Sequence, residues 1–155
     1  PVDETSFEHA LASVLLNLTK KIARDGEGAE TLIEVRVDAA RDEVQAKTVA
    51  KAIVNSPLVK TAVHGADPNW GRVAMAIGKC SEYTDINQET VTIRFGTQEV
   101  YPSRVNDAGL AQLSEYMKGD DVLIHVSLNT GTAEATVRGC DLTDGYVRIN
   151  ADYTT

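Results

Sequence analysis

The chain has little cysteine, little proline and few aromatic residues, and it contains no long apolar run. Its two cysteines, Cys80 and Cys140, are too few and too widely separated for a disulfide framework or a thiolate metal site. No apolar run approaches the roughly 18 residues that a membrane-spanning helix requires, and the amino-terminal stretch lacks the basic-then-apolar order of a signal peptide. These deficits predict a cytoplasmic protein with reduced thiols and no membrane partner.

Positive charge is also scarce. The 155 residues include 15 basic and 23 acidic side chains, which gives a net charge of −8. This is the wrong sign for binding a phosphate backbone, so we expect no nucleic-acid partner. The remaining composition, with 43% apolar and 25% charged residues, is typical of one globular domain or two small ones.

The first half of the chain alternates between helical and strand patterns. A capping-box spacing at Thr5-Ser6-Phe7-Glu8 and apolar residues at helical intervals predict a helix over residues 6–24. Residues 31–37 alternate apolar and polar side chains, as a half-buried strand does. Asp42 is suited to capping the next helix, which ends near residue 55, and the short β-branched stretch 58–63 predicts a second strand.

A helix start is also predicted in the stretch from His64 to Gly78. Asp67 is a suitable cap and Pro68 suits the first helical position. The free N–H groups at such a start, with Arg72 in the first turn, could bind a carboxylate or phosphate. The alternative is that Asp67 and Arg72 only fix a tight entry from loop to helix.

The second half predicts two hairpins around a helix. Residues 90–95 and 99–101 alternate on either side of Gly96-Thr97, and Asn106 or Asp107 is suited to capping the following helix. Strands are expected over residues 122–128 and 132–138, with a brief strand over 146–149. The predicted class is α+β, with a layered α/β sandwich portion over residues 1–82 and a small ββαββ roll with its tail over residues 83–155.

No self-contained catalytic set is recognisable from these residues. Nucleophilic triads are defined by geometry rather than by chain order. His64 and Asp67 are three residues apart, but no third ligand at a suitable spacing accompanies them, so we predict no metal site.

Six separated motifs resemble the ornithine acetyltransferase (glutamate N-acetyltransferase) family of arginine biosynthesis, in the family's order and over almost the whole chain. They are Asp25-Gly26-Glu27-Gly28-Ala29, Leu32-Ile33-Glu34-Val35, Leu58-Val59-Lys60-Thr61-Ala62, Asp67-Pro68-Asn69-Trp70-Gly71-Arg72, Gly139-Cys140-Asp141-Leu142-Thr143 and Asn150-Ala151-Asp152-Tyr153-Thr154-Thr155. The resemblance implies a precursor that cleaves itself and frees a threonine at the start of its β chain. That threonine takes the acetyl group of N-acetylornithine and passes it to glutamate.

The resemblance also implies what this sequence lacks. It places Pro1 inside the family's β chain, so the nucleophile and the oxyanion-forming residues lie outside these residues and no catalytic residue is expected within them. We therefore expect the chain to be inactive alone. Its implied partners are the α chain and the amino-terminal part of the β chain, in a heterotetramer of two α and two β chains. No cofactor is implied, although acetyl-CoA would be a further acetyl donor if the enzyme is bifunctional.

Three residues match substrate-binding positions of the family: Glu27 in the DGEG turn, Asn150, and Thr155 at the end of the tail. A carboxylate is suited to pairing with the ammonium of an amino acid, and amide and hydroxyl groups orient its polar groups. The sequence also permits plainer roles, with Glu27 a polar turn residue and the tail a frayed terminus.

The sequence leaves two other functions open. One is a paralogue that transfers the same acetyl group in a secondary pathway such as antibiotic biosynthesis. The other is a non-catalytic domain for amino-acid binding or assembly. The family resemblance makes residues 1–82 part of the αββα-type catalytic sandwich, and it implies that the tail of the C-terminal α+β roll over residues 83–155 returns to the active site.

Overall fold

The computed structural model of the chain describes residues 3–80, 82–83 and 85–153, and within these it contains six helices and five strands. The helices are α1 (Glu4–Arg24), α2 (Glu43–Val54), α3 (Pro57–His64), α4 (Trp70–Gly78), α5 (Asp107–Met117) and α6 (Asp144–Ala151). The strands are β1 (Leu32–Ala40), β2 (Thr92–Phe95), β3 (Gln98–Tyr101), β4 (Asp121–Ser127) and β5 (Ala133–Cys140).

All five strands form one mixed sheet in the order β3-β2-β4-β1-β5. β1 runs parallel to β4 and antiparallel to β5, while β2 is antiparallel to both β3 and β4. This arrangement confirms the predicted mixed α+β class. β1 comes from the first predicted part of the chain and lies between two strands of the second part, and the division into 1–82 and 83–155 stays a prediction.

The core lies on one face of the sheet, against α2. Alternate residues of β1 determine this face, because Ile33, Val35 and Val37 are fully buried while Arg36 is exposed. α2 packs across β1 and β5. Its approach to β5 is close, since a Cβ at Gly139 would lie 2.8 Å from a methyl group of Val54. A larger residue at that position would force Val54 or the backbone around it to shift.

Most predicted elements are confirmed with small shifts at their ends. The first strand, the helix capped by Asp42, the hairpin across Gly96-Thr97, the helix capped by Asn106 and the last two long strands are all present. α1 is also present, but it begins earlier than predicted. Its cap is Asp3, whose carboxylate accepts a hydrogen bond from the Ser6 N–H, so the expected capping box is not the start signal.

The predicted strand over residues 58–63 is wrong, because these residues form most of α3. Pro57 occupies the start of the helix, where its missing N–H is no loss. Val59, Ala62 and Val63 are buried, and their spacing of three and four residues marks one helical face. A six-residue apolar stretch is too short for periodicity to separate helix from strand.

The predicted strand over residues 146–149 is also wrong, because this stretch lies in α6. Thr143 is the reason, since its hydroxyl oxygen accepts a hydrogen bond from the Tyr146 N–H and caps a helix. Val147 and Ile149 are about half exposed.

None of the residues of α1 is buried in the described structure, although the helix is 21 residues long. Its apolar side chains are 45% to 77% exposed, and they are Phe7, Leu11, Val14, Leu15, Leu16, Leu18 and Ile22. Among the helices of the described ranges, none combines the length and the hydropathy needed to cross a bilayer.

Candidate functional site

A helix does begin after His64, as predicted, but the predicted capping residue is wrong. α4 begins at Trp70, and Asn69 caps it by accepting a hydrogen bond from the Arg72 N–H at 3.2 Å. Asp67 and Pro68 lie before the helix in a tight turn, in which the Asn69 and Trp70 N–H groups donate to their carbonyl oxygens. The Asp67 carboxylate instead accepts from the Asn69 side-chain amide at 3.0 Å, so it supports the cap.

The Arg72 side chain does not point its hydrogen-bond donors at a ligand at the helix start, because other residues already accept from it. Its guanidinium donates to the Leu58 carbonyl at 2.8 Å and to the Thr61 hydroxyl at 3.2 Å, and so ties α4 to α3. This geometry favours the second interpretation of the motif, in which its polar residues fix the entry to the helix.

An apolar groove of about 820 Å³ lies between α4 and the β2–β3 hairpin. At its edge Trp70 stacks on Tyr101, with ring centroids 4.8 Å apart. The groove residues in the described ranges include no carboxylate, lysine or arginine side chain. The groove is therefore a poor match for the charged ends of an amino acid.

The turn that carries Glu27 is shaped by two glycines. Gly28 has φ +66°, and a Cβ there would lie 2.6 Å from the backbone nitrogen of Tyr146. A Cβ at Gly26 would collide with the Cys140 sulfur. Because glycine occupies both positions, the turn packs directly against the end of β5 and the start of α6.

Residues at the start of α6 form hydrogen bonds with this turn. The Thr143 hydroxyl donates to the Gly28 carbonyl at 2.6 Å while its oxygen accepts from the Tyr146 N–H at 3.0 Å. One turn of helix further on, the side-chain amide of Asn150 donates to a Glu27 carboxylate oxygen at 2.7 Å and to the Tyr146 carbonyl at 2.9 Å.

The structure thus brings together two of the three residues that the sequence singled out. Glu27 and Asn150 are 123 positions apart in the chain, they are in direct contact, and both are exposed. Thr155, the third, lies outside the described residues. The carboxylate and amide are accessible to a small polar ligand.

A second polar cluster lies beside this pair, and no motif spacing in the sequence predicts it. One oxygen of the Asp141 carboxylate accepts from the Glu30 and Thr31 N–H groups at 2.9 and 3.0 Å, and the other lies 3.4 Å from His64 Nδ1. These residues come from three separated segments, so their spacing carried no signal. Asp141 falls within one of the motifs quoted above, which was the available clue.

The polar face of the sheet carries a third pair, far apart in sequence. His125 Nε2 on β4 lies 2.7 Å from an Asp38 oxygen on β1. Burial raises the pKa of Asp38, but hydrogen bonds to Ser127 and His125 outweigh this effect, so that the pKa lies below its usual value. This pair belongs to the sheet rather than to the Glu27 turn.

The chain is similar to known proteins over nearly its whole length. It is 60% identical over 159 residues to glutamate N-acetyltransferase Oat2 of Streptomyces clavuligerus, covering 99% of the chain and 40% of that protein. It is 52% identical over 157 residues to arginine biosynthesis bifunctional protein ArgJ of Rhodococcoides fascians, covering 100% of the chain and 39% of that protein. The chain therefore spans about 40% of the length of these curated relatives.

A solved structure has the same fold. The crystal structure of arginine biosynthesis bifunctional protein ArgJ from Bacillus halodurans superposes with a TM-score of 0.87 at 44% sequence identity, covering 99% of this chain and 72% of that one. These similarities define a class of mixed α/β proteins that are named for arginine biosynthesis and for glutamate N-acetyl transfer. The chain belongs to the ArgJ family, whose model matches residues 1–155.

Proposed function

We propose that the chain is part of an acetyltransferase that moves the acetyl group of N-acetylornithine to glutamate in arginine biosynthesis. In this proposal a threonine outside these 155 residues forms an acetyl-enzyme intermediate, and the chain itself contributes substrate-binding groups. The contact between Glu27 and Asn150 carries the proposal, because it brings two residues that match the family's substrate-binding positions to one exposed place.

The chemistry of the two groups suits an amino-acid substrate. The Glu27 carboxylate would pair with the substrate ammonium, and a charge-assisted hydrogen bond of this kind is among the stronger ones in proteins. The side-chain nitrogen of Asn150 already donates to Glu27 and to the Tyr146 carbonyl, so its remaining polar atom, the amide oxygen, would accept a hydrogen bond from the substrate ammonium. The hydroxyl of Thr155, five residues further along the chain, is the third proposed contact.

The transfer would proceed in two balanced halves. The threonine hydroxyl attacks the acetyl carbonyl of N-acetylornithine, the C–N bond breaks, and the hydroxyl proton leaves on the ornithine amine. The glutamate amine then attacks the threonine ester, the C–O bond breaks, and the threonine recovers a proton. Glu27, Asn150 and Thr155 would hold each substrate so that its reacting group, the acetylated nitrogen of N-acetylornithine or the free amine of glutamate, faces the threonine.

The proposed partners are the α chain and the amino-terminal part of the β chain of the same precursor, assembled as two α and two β chains in the cytoplasm. The exposed apolar residues of α1 support this proposal, because such a continuous patch on a helix is typical of a protein interface. The chain covers only 40% of the relative from Streptomyces, which leaves more than half of that protein to provide a covering surface.

No bound cofactor is part of the proposal. Acetyl-CoA would act only as a second acetyl donor. An assay of the complete protein with glutamate, in which acetyl-CoA replaces N-acetylornithine, tests whether it does.

Kinetics of the complete native protein test the two binding residues. Glu27→Gln and Asn150→Ala should each raise KM for N-acetylornithine and glutamate by about 10- to 100-fold, since a lost hydrogen bond to a charged group costs about 1.5–3 kcal/mol. Glu43→Gln, which neutralises an exposed carboxylate on α2, is the matched control and should leave KM unchanged. KM values that match wild type in both variants would refute the assignment of this site.

A further inference from the structure

Three groups with metal-ligand chemistry meet beside the Glu27 turn. Glu30 lies between that turn and β1, His64 is the last residue of α3, and Asp141 directly follows β5. One ligand atom from each lies within 4.8 Å of the other two. The proposed acetyl transfer uses none of these residues.

The Asp141 carboxylate is the unusual member of this cluster. Its side chain is 0% exposed, and one oxygen is occupied by the Glu30 and Thr31 N–H groups. The other oxygen is buried and has no hydrogen-bond partner among the described residues. Leaving a buried carboxylate oxygen without a hydrogen-bond partner is costly, and this oxygen, 3.4 Å from His64 Nδ1, is available to a cation.

The two distances from the histidine nitrogen to the carboxylate oxygens are close to those around a small tetrahedral ion. His64 Nδ1 lies 3.4 Å from the free Asp141 oxygen and 3.7 Å from a Glu30 oxygen. Nitrogen and oxygen ligands about 2.0–2.2 Å from a tetrahedral zinc ion lie about 3.3–3.6 Å from one another. Octahedral Mg²⁺ ligands at about 2.0–2.1 Å would lie closer, about 3.0 Å apart, and Mg²⁺ and Ca²⁺ both prefer an all-oxygen set.

We propose that Glu30, His64 and Asp141 bind one Zn²⁺ ion, with water as the fourth ligand. His64 ligates through Nδ1, and its Nε2 faces an Asp144 oxygen at 3.9 Å on the first turn of α6. A carboxylate on the far nitrogen of a ligating histidine orients the ring and strengthens the ligand. Asp144 is therefore a positioning residue for the site.

The ion would tie together the segments that carry the Glu27–Asn150 contact. Glu30 is three residues after Glu27, and Asp141 and Asp144 flank the Thr143 cap of α6. Zinc therefore joins the turn to the strand–helix junction, in addition to the hydrogen bond from Thr143 to the Gly28 carbonyl. This role is structural, and it holds whether or not the protein transfers acetyl groups.

Metal content of the complete native protein, prepared without a histidine tag, tests the proposal. After equilibration with Zn²⁺ and dialysis, wild type should retain one more zinc per copy than His64→Ala or Glu30→Gln, with at least tenfold weaker Zn²⁺ binding in each variant. Both substitutions fall on exposed residues and spare the backbone contacts of Asp141. His9→Ala, an exposed histidine on α1, is the control and should retain the full zinc content.

Cobalt provides a second readout that does not depend on activity. Co²⁺ in the wild-type site should give the intense visible absorption of tetrahedral coordination, and His64→Ala should lose it. Equal zinc content in wild type and both variants, binding only at millimolar Zn²⁺, or a weak octahedral Co²⁺ spectrum would overturn the proposal.

Discussion

The pair formed by Asp38 and His125 shows how single residues on the polar face of the sheet respond to their surroundings. Asp38 is partly buried, which alone would favour its neutral form. Hydrogen bonds to Ser127 and His125, together with the charge of His125, favour the ionised form, and they outweigh the effect of burial. The pKa of Asp38 in the folded protein therefore lies below its unfolded value of about 3.9.

This lowered pKa predicts a pH-dependent contribution to stability. Asp38 stabilises the fold above its unfolded pKa, and this contribution disappears as the pH falls through the lower folded pKa. At pH 7, Asp38→Asn should lower the melting temperature of the chain, and the difference from wild type should shrink below about pH 4. Melting curves from pH 7 to pH 3 measure this, with Asp152→Asn at an exposed position as control. A difference that stays constant over the range would contradict it.

At the scale of elements, side chains at helix starts decide where the helices lie. Thr143 converts an apolar stretch into α6, and Asn69 starts α4 two residues later than the Asp-Pro sequence suggests. In each case a side-chain oxygen accepts a hydrogen bond from an otherwise unpaired backbone N–H. The element is selected by a bond whose partner is only three residues away.

The cap of α4 gives a prediction that separates Asn69 from Asp67. Asn69→Ala should lower the free energy of unfolding by about 0.5–2 kcal/mol, the usual cost of losing a helix cap. Asp67→Ala should cost less, because Asp67 only accepts an exposed hydrogen bond from the Asn69 amide. Urea unfolding of the two variants decides the matter. A larger loss for Asp67→Ala would show that Asp67 is the more important residue.

At the scale of the whole molecule, the chain is a five-stranded mixed sheet packed against helices, and its first helix is largely exposed. Its core is complete on one side, where α2 covers β1 and β5. α1 contacts β1 and β5, and Lys20 and Arg24 make ion pairs with Glu34 and Asp120, but the large apolar side chains of α1 stay about half exposed or more. We infer that the rest of the protein covers them.

Complementation tests this inference together with the proposal that the nucleophile lies outside these 155 residues. The 155-residue chain alone should give no detectable acetyl transfer from N-acetylornithine to glutamate, and the complete precursor should restore it. Replacing Leu11 and Leu15 on the apolar face of α1 by serine should weaken association with the remaining chains while the isolated chain keeps its melting temperature. Turnover by the isolated chain would contradict the proposal that the nucleophile lies outside it.

Much of the architecture was determined by sequence alone, because it depends on contacts between near neighbours. The alternation in β1, the cap at Asp42 and the Gly96-Thr97 turn are local patterns, and each predicted its element correctly. The strand predictions for residues 58–63 and 146–149 were wrong, because a few apolar residues suit a helix as well as a strand. In both stretches, the residues at the helix start decide between the two.

Only the tertiary structure decided which distant residues meet. Glu27 and Asn150 are 123 residues apart, and no spacing rule brings them together. Their contact depends on β1 pairing with β5, which brings the start of α6 to the turn before β1, and on Gly28, whose bare Cα lets the two segments touch. His64, Glu30 and Asp141 meet for the same reason. Local chemistry thus determined the elements, whereas strand pairing and close packing determined the sites.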